Sequence, residues 1–117
     1  MTIRQIVSCR GWSSDAYWAA RATVELERAG HDVALVCRRS SDARVMRRAK
    51  EAGVARLETL HLLSGVAPIA DVDDLRRLIA WLPETQILHV HRGKEHWLAA
   101  IANRLSYARR PLVRTRH

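Results

Sequence analysis

The chain has 117 residues and is 48% hydrophobic, which suits one domain with a real core and excludes a disordered segment. No stretch reaches the ~20 consecutive apolar residues that a membrane-spanning helix needs, and two cysteines make no disulfide framework. A formal net charge of +8 directs attention to an anionic partner, although an arginine-rich proteome would give an ordinary enzyme the same excess.

The N-terminus carries no signal-peptide pattern, and with Cys9 and Cys37 as lone thiols a cytoplasmic setting is expected. The spacing predicts a first strand from Ile3 to Ser8. A polar loop over Cys9–Asp15 follows, in which Ser13, Ser14 or Asp15 is placed to cap a helix. That helix carries a stripe of mostly small residues, Ala16, Ala19, Ala22, Leu26 and Ala29, and Gly30 is placed to close it. A second strand, Asp32–Cys37, is apolar almost throughout, as a strand buried on both faces of a parallel sheet should be. The turn Arg38–Asp42 leads into a short helix that ends at Ala52 and Gly53, with Arg44, Arg47, Arg48 and Lys50 outward. Leu57–Leu63 reads as a third strand and Ser64–Ala70 as a loop. Asp71 is expected to cap a third helix with an apolar stripe of Val72, Leu75, Leu78, Ile79 and Leu82, closed by Pro83. Gln86–His91 is the fourth strand, Gly93–Tyr107 the fourth helix and Pro111–Thr115 the fifth strand.

Alternation of this kind implies an α/β fold. The expectation is a Rossmann-like, doubly wound parallel sheet of five strands in the order 3-2-1-4-5 with four helices and right-handed crossovers. In that order the chain reverses between strands one and four. The loops Cys9–Asp15 and His91–His96 then face each other across the crevice where such sheets bind ligands. After the fifth strand no further loop and helix follow. Residues 1–117 are therefore expected to form one domain of a longer protein or an unusually minimal domain, with an uncovered fifth strand open to self-association.

Arg10-Gly11-Trp12-Ser13-Ser14 precedes a helix N-terminus, where free N–H groups and the helix dipole attract anions, and Gly11 lets the backbone approach a ligand. Neither G-x-G-x-x-G nor a P-loop is present. Arg38-Arg39 holds either a phosphate or, the simpler reading, a solvated turn. In Ile87–Trp97, His89 and His91 share one strand face. His89 is read as a core residue and His91, at the strand end, as a ligand contact. No metal is expected, because no carboxylate or cysteine lies within the local motif His89-Val90-His91. Arg92 has the planar fork that suits a phosphate or carboxylate. Arg116 and His117 end the fifth strand on opposite faces. The basic face of the second helix could meet an anionic membrane, but its apolar side is thin and a solvated face is the plainer reading. No nucleic-acid-reading motif occurs, and aromatics do not interleave with the basic residues.

Four segments carry a resemblance to a known family: Arg10-Gly11-Trp12-Ser13-Ser14, Ala29-Gly30-His31-Asp32-Val33, Ile87-Leu88-His89-Val90-His91, and Pro111 to His117. Together they make the chain resemble the N-terminal half of a GT-B glycosyltransferase of the retaining family 4 type. The resemblance implies two Rossmann-like domains around an active-site cleft, with the acceptor held by the N-terminal domain and a nucleotide-sugar donor by the C-terminal one. It implies that His117 lines the catalytic centre, that Gly11 approaches the donor phosphates or the acceptor, and that transfer retains configuration without a metal or other cofactor. Arg10, Gly11, Trp12, Ser13, His91, Arg92 and Arg116 are then the expected substrate contacts. Trp12 stands where many members have a second glycine, and the donor domain with its E-x7-E motif is absent, so the isolated chain is expected to be inactive. The acceptor is expected to be small or lipid-linked, and the protein cytoplasmic, with peripheral contact at the inner face of the membrane. The alternative expectation is a non-enzymatic nucleotide- or anion-binding module of the same fold.

Overall fold

The computed structural model describes residues 2–8, 11, 14–39, 43–63, 67–91, 93–106 and 110–114. Strands and helices alternate: β1 (Thr2–Val7), α1 (Ser14–Arg28), β2 (Asp32–Arg38), α2 (Ala43–Glu51), β3 (Leu57–Leu60), α3 (Pro68–Trp81), a single 3-10 turn at Leu82–Glu84, β4 (Ile87–Val90), α4 (Gly93–Leu105) and β5 (Leu112–Arg114). All pairings are parallel and the order is β3-β2-β1-β4-β5, as the alternation predicts.

The register explains the burial. β1 lies between β2 and β4, with Ile6 opposite both Val36 and Val90. Successive side chains alternate between faces. Val7, Leu35 and Cys37 pack with Ala16, Ala19, Ala20 and Val24 of α1 and with Val45 and Ala49 of α2. On the opposite face Ile6, Val36, Leu88 and Val90 pack with Leu78 of α3 and with Leu98, Ala99 and Ala102 of α4. The alanines let α1 lie close to the sheet. Burial of Val45 and Ala49 also uses up the thin apolar side of α2, so its exposed arginines and lysine form a solvated face.

Glycine closes the first two helices. Gly30 and Gly53 have φ of 95° and 104°, a region that favours glycine. The Gly30 and His31 N–H groups donate back to Glu27 and Leu26 at 3.0 and 3.1 Å, satisfying carbonyls that the helix end would leave open. The third helix differs from the expectation. It begins at Pro68, not after Asp71, because proline suits the first helical position. Asp71 sits within its first turn and reaches back to accept the Ala67 N–H at 3.0 Å. β3 stops at Leu60, three residues early, for a reason that belongs to the site below. No helix among the described residues is long and apolar enough to cross a membrane.

A charge lies within the β1 core. Arg4 is 1% exposed and donates to Glu58 of β3 at 3.0 Å, to the Thr85 hydroxyl and to the Trp81 carbonyl at 3.4 Å. Its guanidinium also stacks over the Trp81 ring, 4.8 Å from the centroid. One side chain thus ties β1 to β3 and to the end of α3.

Candidate functional site

The order of the sheet reverses at β1, whose neighbours are β2 and β4. A crevice for ligands is expected beyond the carboxyl ends of β1 and β4. Of the residues expected there, Gly11 and His91 are described; Arg10, Trp12, Ser13, Arg92, Arg116 and His117 lie outside the described residues. Ser40, Ser41 and Asp42, in the turn before α2, also lie outside them.

Gly11 is half-buried, and a Cβ built on it meets no atom of the described residues within 4 Å. Its φ is not in the left-handed region. Among the described residues, then, no packing contact requires glycine at this position.

His89 and His91 stack with ring centroids 4.7 Å apart, on the face that their two-residue spacing predicts. Their burial is the reverse of the order expected: His91 is 5% exposed, while His89 is only half-buried. Gln5 accounts for this. It sits opposite His89 in the register, and its Oε1 lies 2.8 Å from His91 Nε2, which draws the His91 ring over the sheet. As placed, the imidazole N–H donates to the amide oxygen. The Gln5 amide nitrogen is buried and has no hydrogen-bond partner among the described residues. Glu95 is buried in the first turn of α4, where the helix dipole favours a carboxylate. Beside it Lys94 forms a 2.6 Å ion pair with Asp71 and lies over Trp97, joining the start of α4 to the start of α3. Three polar side chains, Gln5, His91 and Glu95, are thus buried near the switch point, where a purely structural seam would carry apolar residues.

A second site lies at the same end of the sheet beyond β3, and the sequence reading missed it. Asp74, buried in α3, accepts the backbone N–H groups of His61 and Leu62, both at 2.8 Å. This pulls the chain out of β3 and holds Leu62 at φ 45°, a conformation that β-strands never use and leucine seldom adopts. The turn presents His61 beside a cavity of about 1000 Å³, within the range of small-molecule sites. Leu63, Pro68, Ile69 and Val72 supply its apolar wall, and His61, Asp73 and Arg76 its polar part. His61 Nε2 lies 2.9 Å from Asp73 and 3.3 Å from Arg39, and Arg77 pairs with Asp73 at 3.3 Å. The hydrogen bond from His61, reinforced by the Arg77 charge, holds the Asp73 carboxyl below the usual aspartate range. A signal was legible: a histidine directly after a strand, with paired aspartates a dozen residues on at the start of a helix. Extending the strand to Leu63 concealed it.

His61, Asp73 and Asp74 bring ligand-type atoms within 4.8 Å of one another. Asp74 is committed to two N–H groups and Asp73 to His61 and Arg77, with Arg39 beside the imidazole. Those contacts account for the trio without an ion.

Two consequences are measurable. Asp74→Asn leaves one acceptor for two buried N–H groups and should cost about 2 kcal/mol in urea unfolding. A change below about 0.5 kcal/mol would mean that the turn holds itself, since unsatisfied buried donors cost more than that. Because the folded-state pKa of Asp73 is lowered, its stabilising contribution is complete above the ordinary aspartate value and is lost as pH falls through the lowered one. Asp73→Asn should therefore flatten the acid limb of stability against pH; an unaltered acid limb would remove Asp73 from that account.

The chain matches the family model described as Glycosyltransferase Family 4 over residues 17–117. No curated protein matches it. Among solved structures, MurG of Acinetobacter baumannii superposes with a TM-score of 0.74 at 12% identity, covering 98% of this chain and 34% of that one. A glycosyltransferase from Rickettsia africae ESF-5 superposes with a TM-score of 0.64 at 15% identity, covering 97% of this chain and 28% of that one. At such identities the likeness establishes the fold, and the chain spans about a third of the length of the structures that it matches.

Proposed function

Because the chain belongs to Glycosyltransferase Family 4, we propose that it is the acceptor-binding half of a two-domain GT-B enzyme. The enzyme transfers a sugar from a nucleotide-sugar donor to a small or lipid-linked acceptor with retention of configuration, and needs no cofactor. Arg10, Gly11, Trp12, Ser13, His91, Arg92 and Arg116 line the acceptor side of the crevice, and His117 meets the reacting sugar. The family match across residues 17–117 carries this reading. Support comes from Gly11, a glycine whose Cβ position meets no atom of the described residues. It comes also from the buried polar group formed by Gln5, His91 and Glu95 at the switch point.

His91 serves the crevice from a fixed position. Its Nε2 is held by Gln5 and its ring by His89, so the imidazole is set before a ligand arrives. The same reading makes the protein cytoplasmic with peripheral contact at the inner face of a membrane; the solvated cations of α2, Arg44, Arg47, Arg48 and Lys50, offer that contact electrostatic attraction alone. The position of β5 at the edge of the sheet, with Val113 exposed, supports self-association of the isolated chain.

The experiment is an assay of the parent protein, donor domain included, against nucleotide-sugars and acceptors, with the product anomer read by NMR. Transfer with retention is expected; inversion would overturn the stereochemistry, and no turnover above a control would overturn the enzyme. The 117-residue chain alone should give none. Tight binding of nucleotides by that chain in calorimetry would favour the non-enzymatic binding module instead.

A further inference from the structure

Gln5 stands opposite His89 in the register, and strand alternation puts it on the same sheet face as His89 and His91. Its neighbours on that face of β1, Ile3 and Val7, are buried and apolar, so packing alone gives no reason for an amide between them. Gln5 is fully buried and His91 is 5% exposed, so the 2.8 Å bond from His91 Nε2 to Gln5 Oε1 lies out of water. An amide oxygen can only accept. Nε2 therefore carries the hydrogen, and the neutral ring keeps its lone pair on Nδ1. A carboxylate on residue 5 would hold the ring as well, but its charge would favour the imidazolium, in which both nitrogens donate. Glutamine holds the ring without that charge. His89, stacked at 4.7 Å and 18°, fixes the plane of the ring through its face and not through a nitrogen.

We propose that Gln5 is a positioning residue that keeps His91 as the Nε2–H tautomer, so that Nδ1 accepts a hydrogen bond from a hydroxyl of the bound acceptor. The proposal rests on the reading of His91 as an acceptor contact, and it goes further by naming the group that His91 meets. A hydroxyl brings the hydrogen that Nδ1 asks for. An anionic oxygen brings only lone pairs and is turned away. At this position the wall of the crevice thus selects a neutral polyol, although the chain as a whole carries a net charge of +8. Residue 5 does this without touching the ligand, through the hydrogen that it assigns to the ring.

The test uses the full 117-residue chain with nitrogen-15 label and NMR of the imidazole nitrogens. For His91, Nε2 should be protonated and Nδ1 bare; the opposite tautomer would mean that the amide nitrogen faces the ring, and would overturn the proposal. Methyl glycosides of glucose, mannose, galactose and N-acetylglucosamine are then titrated at millimolar concentration. At least one should move the His91 Nδ1 signal, and sulfate, which has no hydrogen to donate, should not. Silence with all four glycosides, or an equal response to sulfate, would overturn the selection. Gln5→Glu keeps the bond to Nε2 but should charge the ring and weaken the responding glycoside about tenfold, the loss of one hydrogen bond. Unchanged affinity in Gln5→Glu would leave residue 5 a purely structural role. Gln5→Met fills a similar volume without an acceptor and should let the two tautomers mix, read as convergence of the two nitrogen shifts. Should Gln5→Glu fail to fold, an unmixed tautomer in Gln5→Met overturns the proposal in its place. Glycoside binding at His91 in a parent protein without turnover would overturn the enzyme and uphold the role of Gln5.

Discussion

Replacement of Arg4 by alanine should lower the stability of the fold by about 4 kcal/mol, the scale seen when one partner of a buried ion pair is removed. Arg4 is fully buried, and its guanidinium answers Glu58, Thr85 and the Trp81 carbonyl together. Truncation leaves three costs. A carboxylate at the sheet face loses its cation, a backbone carbonyl loses a donor, and a cavity of arginine size opens under Trp81. Thr85 limits the damage, because its hydroxyl also donates to Trp81 at 2.7 Å. Arg4→Met should fill most of the cavity and recover about 1–2 kcal/mol of the packing loss, but it cannot answer Glu58. The double replacement Arg4→Met with Glu58→Met removes both charges and should return most of the stability, since an apolar pair avoids the desolvation that the ion pair incurs. Urea unfolding of the four proteins decides. A loss under about 1 kcal/mol for Arg4→Ala would mean that water reaches the site and screens it as it does a surface pair.

Arg4 also marks where a sequence can be read and where it cannot. Its neighbours Ile3, Ile6 and Val7 revealed the strand through their apolar pattern, and the continuous run of Asp32–Cys37 revealed burial on both faces. Sheet order followed from alternation and handedness, which are local in origin. The partners of Arg4 are not local: Glu58, Trp81 and Thr85 are separated from it by more than fifty residues. The site beyond β3 was hidden for a related reason. His61-Leu62-Leu63 continues the apolar character of β3, and only the long-range acceptance of two N–H groups by Asp74 turns the chain there. The burial order of His89 and His91 has a non-local origin likewise, because depth along the strand is not depth in the protein. A glutamine on the next strand, invisible to any local pattern, draws the outer ring inward.

Gly11→Val and His117→Ala should both depress turnover of the parent enzyme, in kinetically distinct ways. Gly11 meets no atom of the described residues at its Cβ position and has no left-handed φ, so a side chain there should leave unfolding by urea within about 0.5 kcal/mol of the original, the range of ordinary surface substitutions. In the proposed enzyme the same valine projects into the crevice. Excluding a ligand on steric grounds weakens ground state and transition state together, so KM should rise with kcat little changed, and kcat/KM should fall about a hundredfold for a clash worth about 3 kcal/mol. His117→Ala removes a group proposed to meet charge at the reacting sugar, an interaction stronger in the transition state. It should lower kcat about a hundredfold to a thousandfold, the range for loss of one preorganised donor, with KM little altered. Folding of each variant is checked by its unfolding curve before rates are compared. A Gly11→Val protein with unchanged kcat/KM would take the first loop out of the crevice. A His117→Ala protein with unchanged kcat would take the last residue out of the reaction. If Gly11→Val instead unfolded the domain, the glycine would have a packing role that its surroundings do not indicate, and its support for a ligand at the switch point would fall with it.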